Sequence, residues 1–204
     1  MPMSEVTAMD AARPSGLGTR YRIRDLRAFL SGTWRIARRI GDRRLGVIGR
    51  LEGVASFAPA ARGLRYDEVG TLEFSTYRGR VTQRYVFDID DAAATGAVHF
   101  ADGRPFHIFD LSTGVADVAH DCGADRYRGR YRMFCADGWA LVWNVAGPRK
   151  RLSIATRYSR ASPGRNRPHG RRPTLEDVDC RPETCANPPG WDRLRSLPLS
   201  GDLP

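Results

Sequence analysis

Lysine is almost missing from this chain of 204 residues: of its 33 basic residues, all but Lys150 are arginine. That bias follows a GC-rich coding genome rather than a need for guanidinium at each position. No run approaches the ~20 apolar residues that cross a bilayer as a helix. Met1 to Arg20 hold no apolar stretch of the kind a secretory signal needs, so a cytoplasmic protein with reduced thiols is the expectation. The four cysteines, Cys122, Cys135, Cys180 and Cys185, are then expected to be free. No G-x-S-x-G, P-loop, H-E-x-x-H or paired C-x-x-C occurs, so hydrolase elbows, NTPases and common zinc enzymes lack their marks.

Proline is scarce where structure is expected and dense where it is not. Eight of the 13 prolines follow position 160, and only Pro59, Pro105 and Pro148 lie between 20 and 160. Residues 161–204 also lack a sustained apolar period, so they bury too little to offset ordering entropy, and 1–19 read alike. The expected organisation is a disordered segment over 1–19, a folded domain over 20–160 and a Pro/Arg-rich tail over 161–204. Within the tail, Trp191 and Leu194 are the residues that would dock if any part of it does.

The domain reads as antiparallel β. A short helical lead-in, Asp25 to Leu30, precedes alternating runs near 32–40, 46–57, 63–74, 78–88, 96–100, 105–111, 116–120, 126–135, 139–146 and 150–159. Gly41-Asp42, Ala101-Asp102-Gly103, Asp137-Gly138 and Gly147-Pro148 punctuate them as hairpin turns do. Between Asp125 and Phe134 the even positions are Arg126, Arg128, Arg130 and Arg132, while Tyr127, Tyr131 and Met133 share the odd row. Four like charges cannot share a core, so that face is wet. Trp139, Leu141, Trp143 and Val145 form an apolar row on the next strand, and Leu152, Ile154, Thr156 and Tyr158 on the last. About ten such strands predict a closed up-and-down barrel, which removes exposed edges.

Phe29-Leu30-Ser31-Gly32-Thr33-Trp34 resembles the G-x-W opening of the calycin superfamily, the lipocalin and fatty-acid-binding-protein barrels. The resemblance implies a tryptophan closing one barrel end beneath a basic residue of the last strand, for which Lys150, Arg151 and Arg157 are available. A longer series covers about 26–160: Gly53-x-Ala55-x-Phe57, Tyr66-x-Glu68-x-Gly70-x-Leu72, Phe100-x-Asp102-Gly103-Arg104-x-Phe106-His107 and His120-x-Cys122-x-x-Asp125-x-Tyr127-x-Gly129. It ends with Trp139-x-x-x-Trp143-x-Val145-x-Gly147-Pro148-x-Lys150 and Tyr158-x-Arg160. The series resembles a bacterial family catalogued as domain of unknown function number 6314. That resemblance implies a small calycin-like barrel without an established activity.

The leading expectation is a binding module for a small, partly apolar molecule. Trp34, Phe57, Tyr66, Tyr85, Phe106, Tyr127, Tyr131, Trp139 and Trp143 would line its cavity, with His107, His120, Asp125, Glu68 and the Lys150 terminus of the last turn as polar groups. A packing reading stands beside it, in which His107 and Asp125 satisfy each other. Glu68 shares a row with apolar neighbours, so it either titrates upward or pairs, with Arg84 or Lys150 as partner. The alternative function is acid–base chemistry, decarboxylation or isomerisation of a small aromatic substrate, by His107 or His120 with Glu68 or Asp125. No cofactor or metal is expected. Haem on one histidine, or zinc on His107, His120 and Cys122, is a minor option.

A third reading gives nucleic acid or protein to the arginines, Arg126, Arg128, Arg130 and Arg132 together with Arg35, Arg38, Arg39, Arg43 and Arg44. Nucleic acid is disfavoured, because acids are interspersed and the aromatics alternate inward instead of standing among the arginines as stacking platforms.

Overall fold

The computed structural model describes residues 21–90 and 92–160. Expectations for the two ends, including Cys180, Cys185 and docking by Trp191 and Leu194, lie outside the described residues.

One short helix, α1 (Leu26–Leu30), precedes ten strands. These are β1 (Gly32–Asp42), β2 (Val47–Pro59), β3 (Leu64–Phe74), β4 (Tyr77–Asp90), β5 (Thr95–Phe100), β6 (Pro105–Asp110), β7 (Val115–Cys122), β8 (Asp125–Cys135), β9 (Gly138–Ala146) and β10 (Arg151–Arg160). Every predicted run is a strand, with ends within two residues of the expectation. The helix starts where Asp25 caps it, its carboxylate accepting from the Ala28 N–H at 2.8 Å.

Each strand pairs antiparallel with the next except across one seam, and β1 also pairs with β10. The sheet therefore runs β6-β5-β4-β3-β2-β1-β10-β9-β8-β7, an up-and-down barrel that is nearly closed. Closure is incomplete because the edge strands β6 and β7 share no ladder. β6 is only six residues long, and the β5–β6 register breaks between Val98 and His99. A bulge bends its strand and increases local twist.

Alternation sorts the interior. On β1, Trp34 and Ile36 are buried and Arg38 and Ile40 half-buried, whereas Arg35 between them is exposed. On β8, Arg126, Arg128 and Arg130 are exposed, with Gly129, Tyr131 and Met133 buried. Gly129 is required here: a Cβ on it would lie 2.7 Å from the Trp143 ring, so only glycine lets that indole lie flat against β8.

The two barrel ends differ. At one, α1 supplies buried Phe29 and Leu30, and the Trp34 indole N–H donates to the Leu30 carbonyl at 2.8 Å. Arg160 caps this end, its guanidinium 4.0 Å from the Trp34 ring centroid and donating to the Phe29 and Ser31 carbonyls. The basic residue over Trp34 is thus none of Lys150, Arg151 or Arg157. Register explains it: Trp34 lies opposite Arg160, Arg157 lies opposite Ala37 in the outward row, and Lys150 and Arg151 sit at the far end of β10. No helix covers that far end among the described residues, and inner rows become more exposed toward it. On β4, Ile89 and Phe87 are buried, Tyr85 is half-buried and Gln83 is exposed.

Cys122 is a free, exposed thiol. Cys135 is disulfide-bonded, which corrects the expectation of a free thiol there.

Candidate functional site

The interior carries two polar groupings. The first is centred on Glu68, 4% exposed, whose carboxylate receives two parallel bonds from Arg38: Nη1 to Oε1 at 2.8 Å and Nη2 to Oε2 at 2.6 Å. The Arg38 Nε–H donates to Thr156 Oγ1 at 2.8 Å. Tyr66 donates its hydroxyl to Glu68 Oε2, and the Tyr66 and Tyr158 hydroxyls lie 3.3 Å apart. Register makes the pair possible. Arg38 on β1 lies opposite Leu51 of β2 and Glu68 on β3 opposite Ala55, and on the inner row between those two β2 residues stands only Gly53, so the guanidinium reaches across small residues on the diagonal. Gly53 must lack a side chain, since a Cβ would sit 2.2 Å from the Val69 carbonyl oxygen.

This geometry corrects two expectations. Glu68 pairs with neither Arg84 nor Lys150: Arg84 faces outward and bonds Asp67 at 2.6 Å, and Lys150 is at the barrel rim. Arg38 is not part of an outer arginine surface, because it shares the inward row of Trp34, Ile36 and Ile40.

Burial decides the charges. For Arg38, desolvation alone would lower the pKa, but Tyr158 and then Glu68 outweigh it and the guanidinium is held more firmly protonated than usual. Burial, followed by Tyr158 and Glu68, pushes Tyr66 well above its ordinary value. Tyr85 is pushed up to about 12, first by burial. The tyrosines are therefore neutral donors at physiological pH.

The second grouping surrounds His107, which is 6% exposed. Its Nε2 lies 2.9 Å from the Tyr131 hydroxyl, while its Nδ1 is buried without a hydrogen-bond partner. Burial first, and the neighbouring His120 second, lower its pKa to about 4, so the imidazole is neutral. His120 is half-buried and stands edge-on to Phe106 at 4.9 Å between centroids. The expected His107–Asp125 pairing does not form. Asp125 takes Lys150 Nζ at 2.6 Å in the turn region instead, a bond that with Tyr127 holds the ammonium above its ordinary pKa.

The remaining candidates divide by depth. Trp34 and Trp139 are sealed, at 0% and 1% exposure, with Trp139 stacked on Tyr158 at 3.6 Å. Trp143 lies nearer the open end with half-buried Tyr85 and Tyr127. The structure thus brings Tyr66, Glu68, His107, His120, Tyr85, Tyr127 and Trp143 into one interior, and leaves Asp125 and Lys150 at its rim. Sequence reasoning missed Arg38 and gave Thr156 and Tyr158 no role. The signal for Arg38 was present in β1, where Trp34-x-Ile36-x-Arg38-x-Ile40 marks one face.

Among the described residues, no three His, Cys, Asp or Glu side chains gather as metal ligands, and Cys122 is too exposed to join His107. The outer arginines are partly neutralised, Arg130 by Asp117 at 2.6 Å and Arg128 by Asp121 at 3.2 Å. A depression of about 320 Å³ on the outer face of β2–β4 is lined by Val54, Ser56, Asp67, Val69, Thr82 and Arg84 beside Glu68 and Gln83. No described helix is long and apolar enough to cross a membrane.

The model of a family of unknown function (DUF6314) matches residues 30–160. No curated protein matches the chain. Among solved structures, an S-type phycobiliprotein lyase, CPES from Guillardia theta, is similar at TM-score 0.54 and 7% identity, over 75% of this chain and 100% of that one. A redesigned β-barrel bound to DFHBI is 13% identical at TM-score 0.35, covering 67% and 99%. A protein of unknown function from the DUF3598 family of Nostoc punctiforme is 10% identical at TM-score 0.39, covering 66% and 49%. At such identities the lyase shows the fold alone.

Proposed function

As the chain belongs to this family of unknown function, DUF6314, we propose from the site itself that it binds a small, partly apolar molecule in the open end of the barrel. The observation that carries the reading is Arg38. Its side chain faces the interior yet stays 19% exposed, over a Glu68 whose side chain is 3% exposed. Aliphatic Leu72, Val81, Leu141 and Ile154, on the inward rows of their own strands, are likewise only half-buried. Inward apolar groups left half-wet around a few fixed polar ones are the composition of a ligand pocket.

Acid–base chemistry finds less support. Both Glu68 oxygens accept from Arg38, and Oε2 accepts from Tyr66 as well, so neither oxygen is left free to face a substrate. Asp125 is occupied by Lys150.

The test is a titration with 8-anilinonaphthalene-1-sulfonate, a flat apolar body with one anionic end. Binding in the barrel quenches tryptophan emission and raises the melting temperature. Val81→Trp, which fills the open end, abolishes both effects in a protein that still folds. Equal quenching in the filled variant defeats the proposal.

A further inference from the structure

Phe106 breaks the alternation of its strand. On β6, His107 and Phe109 are buried, so Phe106 belongs by parity to the outer face with exposed Ile108. Instead its ring packs inward, because Val98 pairs with His107 while His99 pairs with Pro105, leaving Phe106 as the unpaired extra residue of the bulge. Its ring is nearly parallel to Tyr85 on one strand, at 5.5 Å and 9°, and to Trp143 on another, at 5.3 Å and 28°. β4 and β9 lie on separate sides of the barrel, so the three rings form a stack that spans the interior. Phe106 is the middle member of that stack and the only one not fixed by a paired backbone.

Resting on the binding function proposed above, we infer that Phe106 holds the place of the ligand. The site takes a flat aromatic heterocycle that displaces this ring and lies between Tyr85 and Trp143, with a ring nitrogen turned to His107 Nδ1.

Two independent observations meet at this point. The Phe106 and His107 rings are 4.6 Å apart and edge-to-face, so the ring that would leave is packed against the imidazole. That imidazole is 94% buried and its Nδ1 has no partner, a cost that a nitrogen-bearing ligand edge removes. A neutral imidazole offers one donor and one acceptor. With Nε2 bonded to the Tyr131 hydroxyl, Nδ1 accepts or donates according to tautomer, and a heterocycle carrying both an N–H and a bare nitrogen satisfies either. Displacement is also structurally inexpensive, because β6 is an edge strand and Phe106 is only half-buried.

Benzimidazole at pH 7.5 is the probe, titrated calorimetrically into the full chain. Phe106→Ala removes the competing ring and binds it at least tenfold more tightly than the parent protein. Phe106→Ala/His107→Leu loses most of that gain, which simple opening of space would leave intact. If Phe106→Ala fails to fold, Phe106→Leu serves, and in the parent protein saturation with benzimidazole must abolish the nuclear Overhauser contacts of Phe106 with Tyr85 and Trp143. Unchanged affinity in the truncated variant, or contacts that persist at saturation, overturns the inference. If the sulfonate dye still binds the open end in that case, the binding function stands and only the role of Phe106 falls; if the dye fails too, both fall.

Discussion

Arg38 and Glu68 face each other across the interior through two parallel hydrogen bonds of 2.8 and 2.6 Å, thirty residues apart in sequence and one strand apart in the sheet. Removing one partner of a buried pair strands the other, at about 3–5 kcal/mol, whereas replacing both with apolar groups is often neutral. Arg38→Met should therefore lower stability by about 3 kcal/mol or more, and Arg38→Met/Glu68→Leu should recover most of it. Urea denaturation of the three proteins measures the coupling. Asp117→Ala, which breaks the exposed pair with Arg130, should cost under about 1 kcal/mol in the same assay.

The cap on Trp34 combines a guanidinium over the ring with two bonds to carbonyls of the α1 segment. Arg160→Ala should destabilise by about 2 kcal/mol, and Arg160→Lys should restore little, because a lysine lacks the planar fork that reaches both carbonyls. Thermal melts of the two variants would show it as similar drops in Tm.

His107 gives the fold an acid-side sensitivity. Its folded pKa of about 4 lies below the ordinary 6.5, so between those values the unfolded chain binds a proton that the folded one does not. Stability is full above about pH 6.5 and declines as pH falls toward 4, by about 3 kcal/mol for this one group. His107→Phe should flatten that limb when denaturation midpoints are compared between pH 7 and 4.5.

Gly129 fixes where Trp143 lies. Gly129→Val forces the indole away and should cost about 1–3 kcal/mol as an overpacked core does. Displacement toward the open end would also shift tryptophan emission to longer wavelength, which a fluorescence spectrum of the folded variant records.

Strand positions were legible because period two and Gly/Asp turns are local signals. The inward rows of β8, β9 and β10 followed from the same rule. Incomplete closure was not legible, since whether β6 and β7 form a ladder is a matter of strand placement that alternation and turn residues do not encode. The partner of Glu68 was misjudged for a similar reason. Counting Arg38 among the surface arginines overrode its place in the Trp34–Ile36–Ile40 row, and the small residues Gly53 and Ala55 that let it reach Glu68 have meaning only once β1, β2 and β3 are in register. Arg160 over Trp34 was reachable from register alone, given that β10 ends where β1 begins.

Native mass spectrometry with 8-anilinonaphthalene-1-sulfonate tests the central claim most directly, because it counts molecules bound per chain. A binding barrel retains one dye molecule in the parent protein and none in Val81→Trp. No retained dye, or the same adducts in both proteins, would contradict a ligand site inside the barrel.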